Sequence, residues 1–309
     1  MTISRRELLK SLPAAAVAVP LFAQTGRPDI HFPVSPRERL AVTSYPFRAY
    51  IEAPSNHGRD KSKRGMDVKE FAAMVSRRFG VPNINPLSDH FASTDPAYLD
   101  AFRTAVEKAG SHVVDLGLSG GYFYSPEEAK RTAGVDYGRK WIDVAKTIGS
   151  PSVRQHVRGA ARSPQSVDLA AESLGRLAEY GATRNIIVNL ENDSPVSEDP
   201  FFLVSVIEKV NNPYLRALPD FGNSLMGHDH GYNQKAVKAM FRHAYGMAHV
   251  KDAVRSHDGK EYTVDLSKMF AIAKASSYRG YFSMEFDTGS GDPFEGTTRL
   301  VEESLKYLK

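Results

Sequence analysis

Four apolar, strand-like runs in the second half of this 309-residue chain each end on a residue type that binds metal ions. They are Ile186-Ile187-Val188-Asn189-Leu190-Glu191, Leu215-Arg216-Ala217-Leu218-Pro219-Asp220, Gly246-Met247-Ala248-His249 and Tyr281-Phe282-Ser283-Met284-Glu285. Their ends fall about 30 residues apart, the length of one strand-plus-helix unit. Strands joined by such long crossovers run parallel. If the four are parallel neighbours, their ends converge on one rim.

The same alternation extends along the chain. Strand patterns occupy Leu40–Tyr45, Val81–Leu87, His112–Leu118, Ser152–Val157, Asn185–Glu191, Tyr214–Asp220, Gly246–Lys251 and Gly280–Phe286. Amphipathic helical patterns lie between and after them, over Val68–Arg78, Pro96–Ala109, Tyr137–Ile148, Ser166–Tyr180, Pro200–Val210, Gln234–Phe241, Val264–Ala275 and Thr297–Leu308. Asp95-Pro96 reads as an N-cap with proline in the first turn, and Gly80, Gly110, Gly149 and Gly181 as helix-ending glycines. Eight strands alternating with eight helices predict an α/β chain folded as one closed (β/α)8 TIM barrel over residues 39–309. The alternative, an open doubly wound sheet, usually carries a glycine-rich phosphate turn after an early strand. Here the first strand runs into Tyr45-Pro46-Phe47-Arg48, and the glycines at 117–121 and 289–291 are weak signals. The stretch Ile51 to Arg64 is long, polar and basic; it reads as a surface loop, a lid over the barrel mouth or an oligomer contact.

Composition is that of an ordinary globular protein. A net charge of +4 gives no sign of a nucleic-acid surface, and the absence of cysteine excludes disulfides, thiolate metal sites and cysteine nucleophiles. Ser4-Arg5-Arg6-Glu7-Leu8-Leu9-Lys10 resembles a twin-arginine export signal, and the apolar stretch from Leu12 to Phe22 is too short for a membrane span. Residues 1–23 are therefore expected to be a signal peptide and 24–38 a linker. The expectation is an exported, periplasmic or extracellular protein with no membrane contact after signal removal. Homo-oligomerisation stays open.

Barrel enzymes place their chemistry at the C-terminal ends of the strands. Glu191, Asp220, His249 and Glu285 end strands five to eight. One such carboxylate commonly pairs with a lysine or caps a helix. Four ligand-type residues at equivalent positions are harder to explain that way, because buried carboxylates repel one another unless a cation intervenes. An oxygen-rich set with one imidazole suits a single divalent ion: Mn²⁺, Mg²⁺, Co²⁺ or Zn²⁺. On strand four, Arg154, His156 and Arg158 share a face. His156 reads either as part of a polar cluster at the mouth or as a structural histidine. Lys251, two residues past His249, faces the same side; it reads as a substrate ligand or as the partner of Asp252.

The segments Asn189-Leu190-Glu191-Asn192, Asp220-Phe221-Gly222-Asn223, His249-Val250-Lys251-Asp252 and Met284-Glu285-Phe286 resemble the metal set of the xylose-isomerase-like sugar isomerase/epimerase superfamily, which also contains endonuclease IV. The resemblance runs from about Leu40 to the end. It implies that Glu191 and Glu285 act as the catalytic acid/base pair as well as metal ligands, with Asp220 and His249 as anchors. It implies that Arg255, six residues past His249, contacts substrate, a surface salt bridge being the alternative; His156, Asn223 and Lys251 are the further substrate-binding candidates. The implied reaction is isomerisation or epimerisation of a sugar or keto-sugar, by proton abstraction next to a carbonyl through a metal-stabilised enediolate. The same site serves β-elimination by a lyase or dehydratase on a keto-sugar or keto-acid. Asn223 stands where related epimerases carry histidine, and Tyr262-Thr263-Val264 stands where endonuclease IV carries Asp-x-His. Those departures argue against a trinuclear nuclease. A non-catalytic sugar-binding barrel is disfavoured because all four ligand positions of the family set are filled.

Overall fold

A computed structural model describes residues 26–159, 163–256, 258–287 and 291–309. The expected export segment, and Gly289 and Ser290 of the last glycine cluster, lie outside the described residues. No helix among those described is long and apolar enough to cross a membrane.

The alternation read from the sequence folds into a parallel barrel. Its strands are β1 (Leu40–Thr43), β2 (Asn83–Asn85), an interrupted third strand made of β3 (His112–Val113) and β4 (Leu116–Leu118), β5 (Ser152–Gln155), β6 (Ile187–Glu191), β7 (Leu215–Leu218), β8 (Met247–Val250) and β11 (Tyr281–Met284). Between β8 and β11 the chain adds an antiparallel hairpin, β9 (Ala253–Arg255) with β10 (Glu261–Thr263), absent from the sequence reading. Parallel pairing runs β3-β2-β1-β11-β8 on one arc and β4-β5-β6-β7 on the other. Bridges Leu87 to Gly117 and Asp220 to His249 join the two arcs and close the barrel.

Among the described residues eight α-helices surround it: α1 (Phe71–Phe79), α2 (Pro96–Lys108), α3 (Glu128–Ile148), α4 (Val167–Arg184), α5 (Pro200–Val210), α6 (His230–Phe241), α7 (Leu266–Ala275) and α8 (Pro293–Tyr307). Short acidic side chains start several of them. The Asp199 carboxylate accepts from the amides of Phe201 and Phe202 at 3.0 and 2.9 Å, with Pro200 supplying a first-turn residue that has no amide to satisfy. Asp292 and Pro293 repeat the arrangement at α8. Gly80 and Gly149 end α1 and α3 in the left-handed conformation, as expected. Gly181 does not end α4. The helix continues to Arg184 and stops at left-handed Asn185, and Gly181 is glycine because a Cβ there would stand 2.4 Å from the Ile186 carbonyl oxygen. Helix α3 starts nine residues before the expected Tyr137, at Glu128. Its extra turns carry Gly134, whose Cβ would meet the Tyr122 amide at 3.1 Å, so a close backbone approach replaced the apolar stripe that announces a helix.

The apolar core lies between barrel and helices, with Phe47, Phe102, Ile142, Leu174, Leu177, Phe221 and Phe282 deeply buried. The barrel centre is polar instead. Asp115, in the gap between β3 and β4, accepts from Ser152 Oγ at 2.5 Å and from Asn189 Nδ2 at 3.0 Å. Beneath the barrel, the segment expected to be a linker touches the fold at Pro28 and Phe32 and is otherwise mostly exposed. Pro28 is buried, its carbonyl accepts from the Tyr245 hydroxyl, and Phe32 sits edge-on against Tyr245 and Tyr281.

Leu177 of α4 packs toward Gly138 of α3 and is fully buried. Leu177→Ala is expected to lower unfolding free energy by about 2–5 kcal/mol, read by urea denaturation. A loss below about 1 kcal/mol would show that α3 and α4 are not packed as described.

Candidate metal centre

Alternation along each strand turns Asn189 and Glu191, His249 and Lys251, and Ser283 and Glu285 toward the barrel axis. The register pairs Ser283 with His249, and the β-bridge pairs Asp220 with His249. The four strand-end residues therefore meet. Glu191, Asp220, His249 and Glu285 offer ligand atoms that all lie within 4.8 Å of one another, and all four residues are buried.

His249 Nδ1 lies 2.6 Å from Glu191 Oε1 and 2.7 Å from Glu285 Oε2. One imidazole nitrogen carries at most one hydrogen. Glu191 takes that bond, and Glu285 Oε2 is left buried with no hydrogen-bond partner. Asp220 Oδ1 accepts from the amides of Gly222 and Asn223 at 2.8 and 2.6 Å, while its Oδ2 is also buried and unpartnered. Two orphaned carboxylate oxygens beside an imidazole nitrogen are costly without a cation. The donor set thus fits a divalent ion, held by Glu191, Asp220, His249 and Glu285.

The protein's own cations offset part of this charge. Arg154 Nε is 3.2 Å from Glu191 Oε2. Lys251 Nζ donates to Asn223 Oδ1 at 2.9 Å and to Asp287 Oδ2 at 3.3 Å, and lies 3.7 Å from Asp220 Oδ2. Burial opposes ionisation of Glu191, but the charges of His249 and Arg154 outweigh it and hold the carboxyl well below its usual range. Burial likewise disfavours ionised Glu285, and Lys251 and His249 reverse the effect. At Asp220 burial prevails over Lys251, with Glu191 and Glu285 adding repulsion, and the carboxyl is pushed up to about 7. Burial would lower His249, but the two glutamates raise it well above the normal imidazole range.

A cleft of about 320 Å³ opens onto Glu191 and Glu285, with Asp220 and His249 buried behind them. Its walls include Tyr45, Arg48, His90, Arg154, His156, Lys251 and Asp287. Ser55, Asn56, His57 and Gly58 also line it, so part of the basic loop after β1 forms one wall. That loop is built rather than merely solvated. Asn56 Nδ2 donates to the carbonyls of Arg48 and Ile51, Arg59 bonds the Ala49 and Lys63 carbonyls and Glu52, and Ile51 bridges Met66 across the loop's ends.

The remaining candidates divide. His156 lines the cleft; its Nδ1 meets Glu198 Oε1 at 3.0 Å, and Arg154 contacts its Nε2. Lys251 lines the cleft and pairs with Asp287 and Asn223, not with Asp252. Asn223 is buried behind Lys251 and reaches the cleft through it. Arg255 is not brought to the cleft: pairing of β9 with β10 carries it outward, where it is exposed and its Nε donates to the Gly259 carbonyl. Of the aromatics near the mouth, Tyr45 lines the cleft, whereas Phe47 and Phe123 are core. Sequence reasoning missed Asp287, Glu198, Asn85 and Asp115, because single polar residues in strand-like or loop segments carry no periodic signal. Alternation from Glu285 could have flagged Asp287.

Among solved structures, a xylose isomerase-like TIM barrel protein from Mycobacterium smegmatis, in complex with magnesium, superposes with a TM-score of 0.68 at 16% identity, over 87% of this chain and 96% of that one. A D-allulose 3-epimerase from Methylomonas sp. gives 0.65 at 17% identity, over 90% and 100%. The 3-keto-D-glucoside 4-epimerase of E. coli gives 0.63 at 15% identity, over 87% and 98%. At such identities the likeness establishes the fold. No curated protein sequence matches the chain. The family described as xylose isomerase-like TIM barrel matches residues 65–309, most of the chain, and the protein belongs to that family.

Proposed function

We propose that this protein is a metal-dependent sugar isomerase or epimerase that moves a proton on the carbon next to a carbonyl. The observation that carries the reading is the pair Glu191 and Glu285. These buried carboxylates approach one histidine nitrogen from two strands and face a polar cleft. Structural neighbours that act on D-allulose and on 3-keto-D-glucosides support a sugar substrate.

A divalent cation held by the four residues would polarise the substrate carbonyl and acidify the adjacent C–H. Everything else falls to the chain. One glutamate takes the proton, and the electron pair of the broken C–H bond moves toward the carbonyl oxygen as an enediolate forms. The other glutamate, protonated for this step, gives its proton to the opposite face of the same carbon, which inverts the centre. Lys251, lining the cleft, places a fixed positive charge where oxygen becomes negative. Arg154 holds Glu191 ionised and oriented, and His156, braced by Glu198, presents its ring at the wall. β-Elimination begins with the same proton removal, so products distinguish a lyase from an epimerase. The twin-arginine-like segment supports export to the periplasm or beyond, and a homo-oligomer remains compatible with the chain.

Incubation with ketohexoses and 3-keto-glycosides in D₂O is expected to place solvent deuterium at one carbon of recovered sugar, seen by NMR. Glu191→Gln and Glu285→Gln should each lower turnover about 10²–10⁴-fold. Turnover that survives both substitutions would exclude the acid/base assignment.

Ligands must be unprotonated to bind a cation. Asp220 and His249 both hold protons above their ordinary ranges, Asp220 to about 7. Metal uptake therefore displaces protons, and Mn²⁺ affinity should rise as pH increases from about 6 to 8. Calorimetry in buffers of different ionisation enthalpy would count the protons released. A pH-independent affinity would contradict the site described.

A further inference from the structure

We infer that Asn85, locked in place by Asp115, is the positioning residue that aims His249 at the metal centre. The inference rests on the metal reading above and concerns a residue outside the four proposed ligands.

His249 has two ring nitrogens, and only one can face the carboxylate cluster. Nδ1 faces Glu191 and Glu285, and Nε2 lies 2.9 Å from Asn85 Oδ1. An amide oxygen only accepts, so the bond requires a hydrogen on Nε2. In the neutral ring that leaves the lone pair on Nδ1, aimed at the site. The bond works only if the Asn85 amide presents its oxygen, and the amide is held by its other end. Asn85 Nδ2 donates to the Asp115 carbonyl at 3.1 Å and to Asp115 Oδ2 at 3.2 Å. A flipped amide would set its oxygen against the Asp115 oxygens and its NH₂ against the Nε2 hydrogen. Asp115 is pinned in turn: Ser152 Oγ and Asn189 Nδ2 donate to its Oδ1. Asn85, Asp115, Ser152, Asn189 and His249 are all buried, so water does not compete for these bonds.

The network takes one residue from each of β2, β5, β6 and β8 and one from the gap between β3 and β4. It separates two similar residues of β2. Asn83 Nδ2 donates to the carbonyls of Glu38 and Leu40, both backbone, and serves strand structure. Asn85 serves a side chain.

The test is calorimetric titration of Mn²⁺, with Co²⁺ absorption spectra reporting imidazole ligation. Asn85→Leu is expected to weaken binding about 10–100-fold and change the Co²⁺ spectrum. Asn83→Ala should lower the melting temperature and leave affinity unchanged. The exchange Asn85→Asp with Asp115→Asn keeps an acceptor on His249 Nε2 and a donor–acceptor pair between the two side chains, and gives up the bond to the backbone carbonyl of residue 115. It should recover most of the affinity, and it keeps the proposal testable if Asn85→Leu does not fold. Folded Asn85→Leu protein with unchanged affinity and spectrum would overturn the inference, as would an exchange variant that folds but does not bind. A parent protein that binds no divalent ion would instead overturn the metal reading, and this inference with it.

Discussion

Three carboxylates buried within a few ångströms of one another are the constraint around which this barrel is arranged. Such a set carries a large electrostatic cost unless positive charge meets it. The chain supplies cations from neighbouring strands: Arg154 from β5 against Glu191, and Lys251 just past β8 against Asp220, Glu285 and Asp287. They do not cover every acceptor. One oxygen each of Asp220 and Glu285 is left buried without a hydrogen-bond partner, and a divalent ion fits that charge and donor set.

The polar barrel interior follows from the same constraint. An apolar centre would leave the second nitrogen of His249 buried without a partner. Asn85, Asp115, Ser152 and Asn189 instead carry hydrogen bonding beneath the site, and the apolar packing is moved outward to the helices. The cleft wall at residues 55–58 extends the principle to a loop. Asn56 and Arg59 tie that loop to its own backbone, so the wall stands on hydrogen bonds inside the loop.

Much of the fold was legible in the sequence because alternating strands and amphipathic helices are local patterns. The eight strand positions agree, and Asp95-Pro96 does start α2, although the Asp95 side chain makes no cap hydrogen bond; α8 begins at Pro293, four residues before the expected Thr297. The errors share a cause. Glu128 to Asp136 of α3 lacked an apolar stripe because its buried residues are Arg131, Gly134 and Val135, with the glycine set against backbone. The hairpin holding Arg255 was invisible because each strand has three residues. A six-residue offset from His249 therefore did not translate into a position in the cleft.

The sequence by itself determined which residue type ends each strand, since period-two alternation and apolar runs place Glu191, Asp220, His249 and Glu285 regardless of what surrounds them. Tertiary structure decided which groups touch. Barrel closure set Asp220 beside His249, and curvature brought Asn85 of β2 to His249 of β8 across the interior of one arc and laid the loop after β1 against the cleft. Contacts between residues as distant as 85 and 249 depend on register and curvature summed over the whole sheet, and no local pattern encodes that sum.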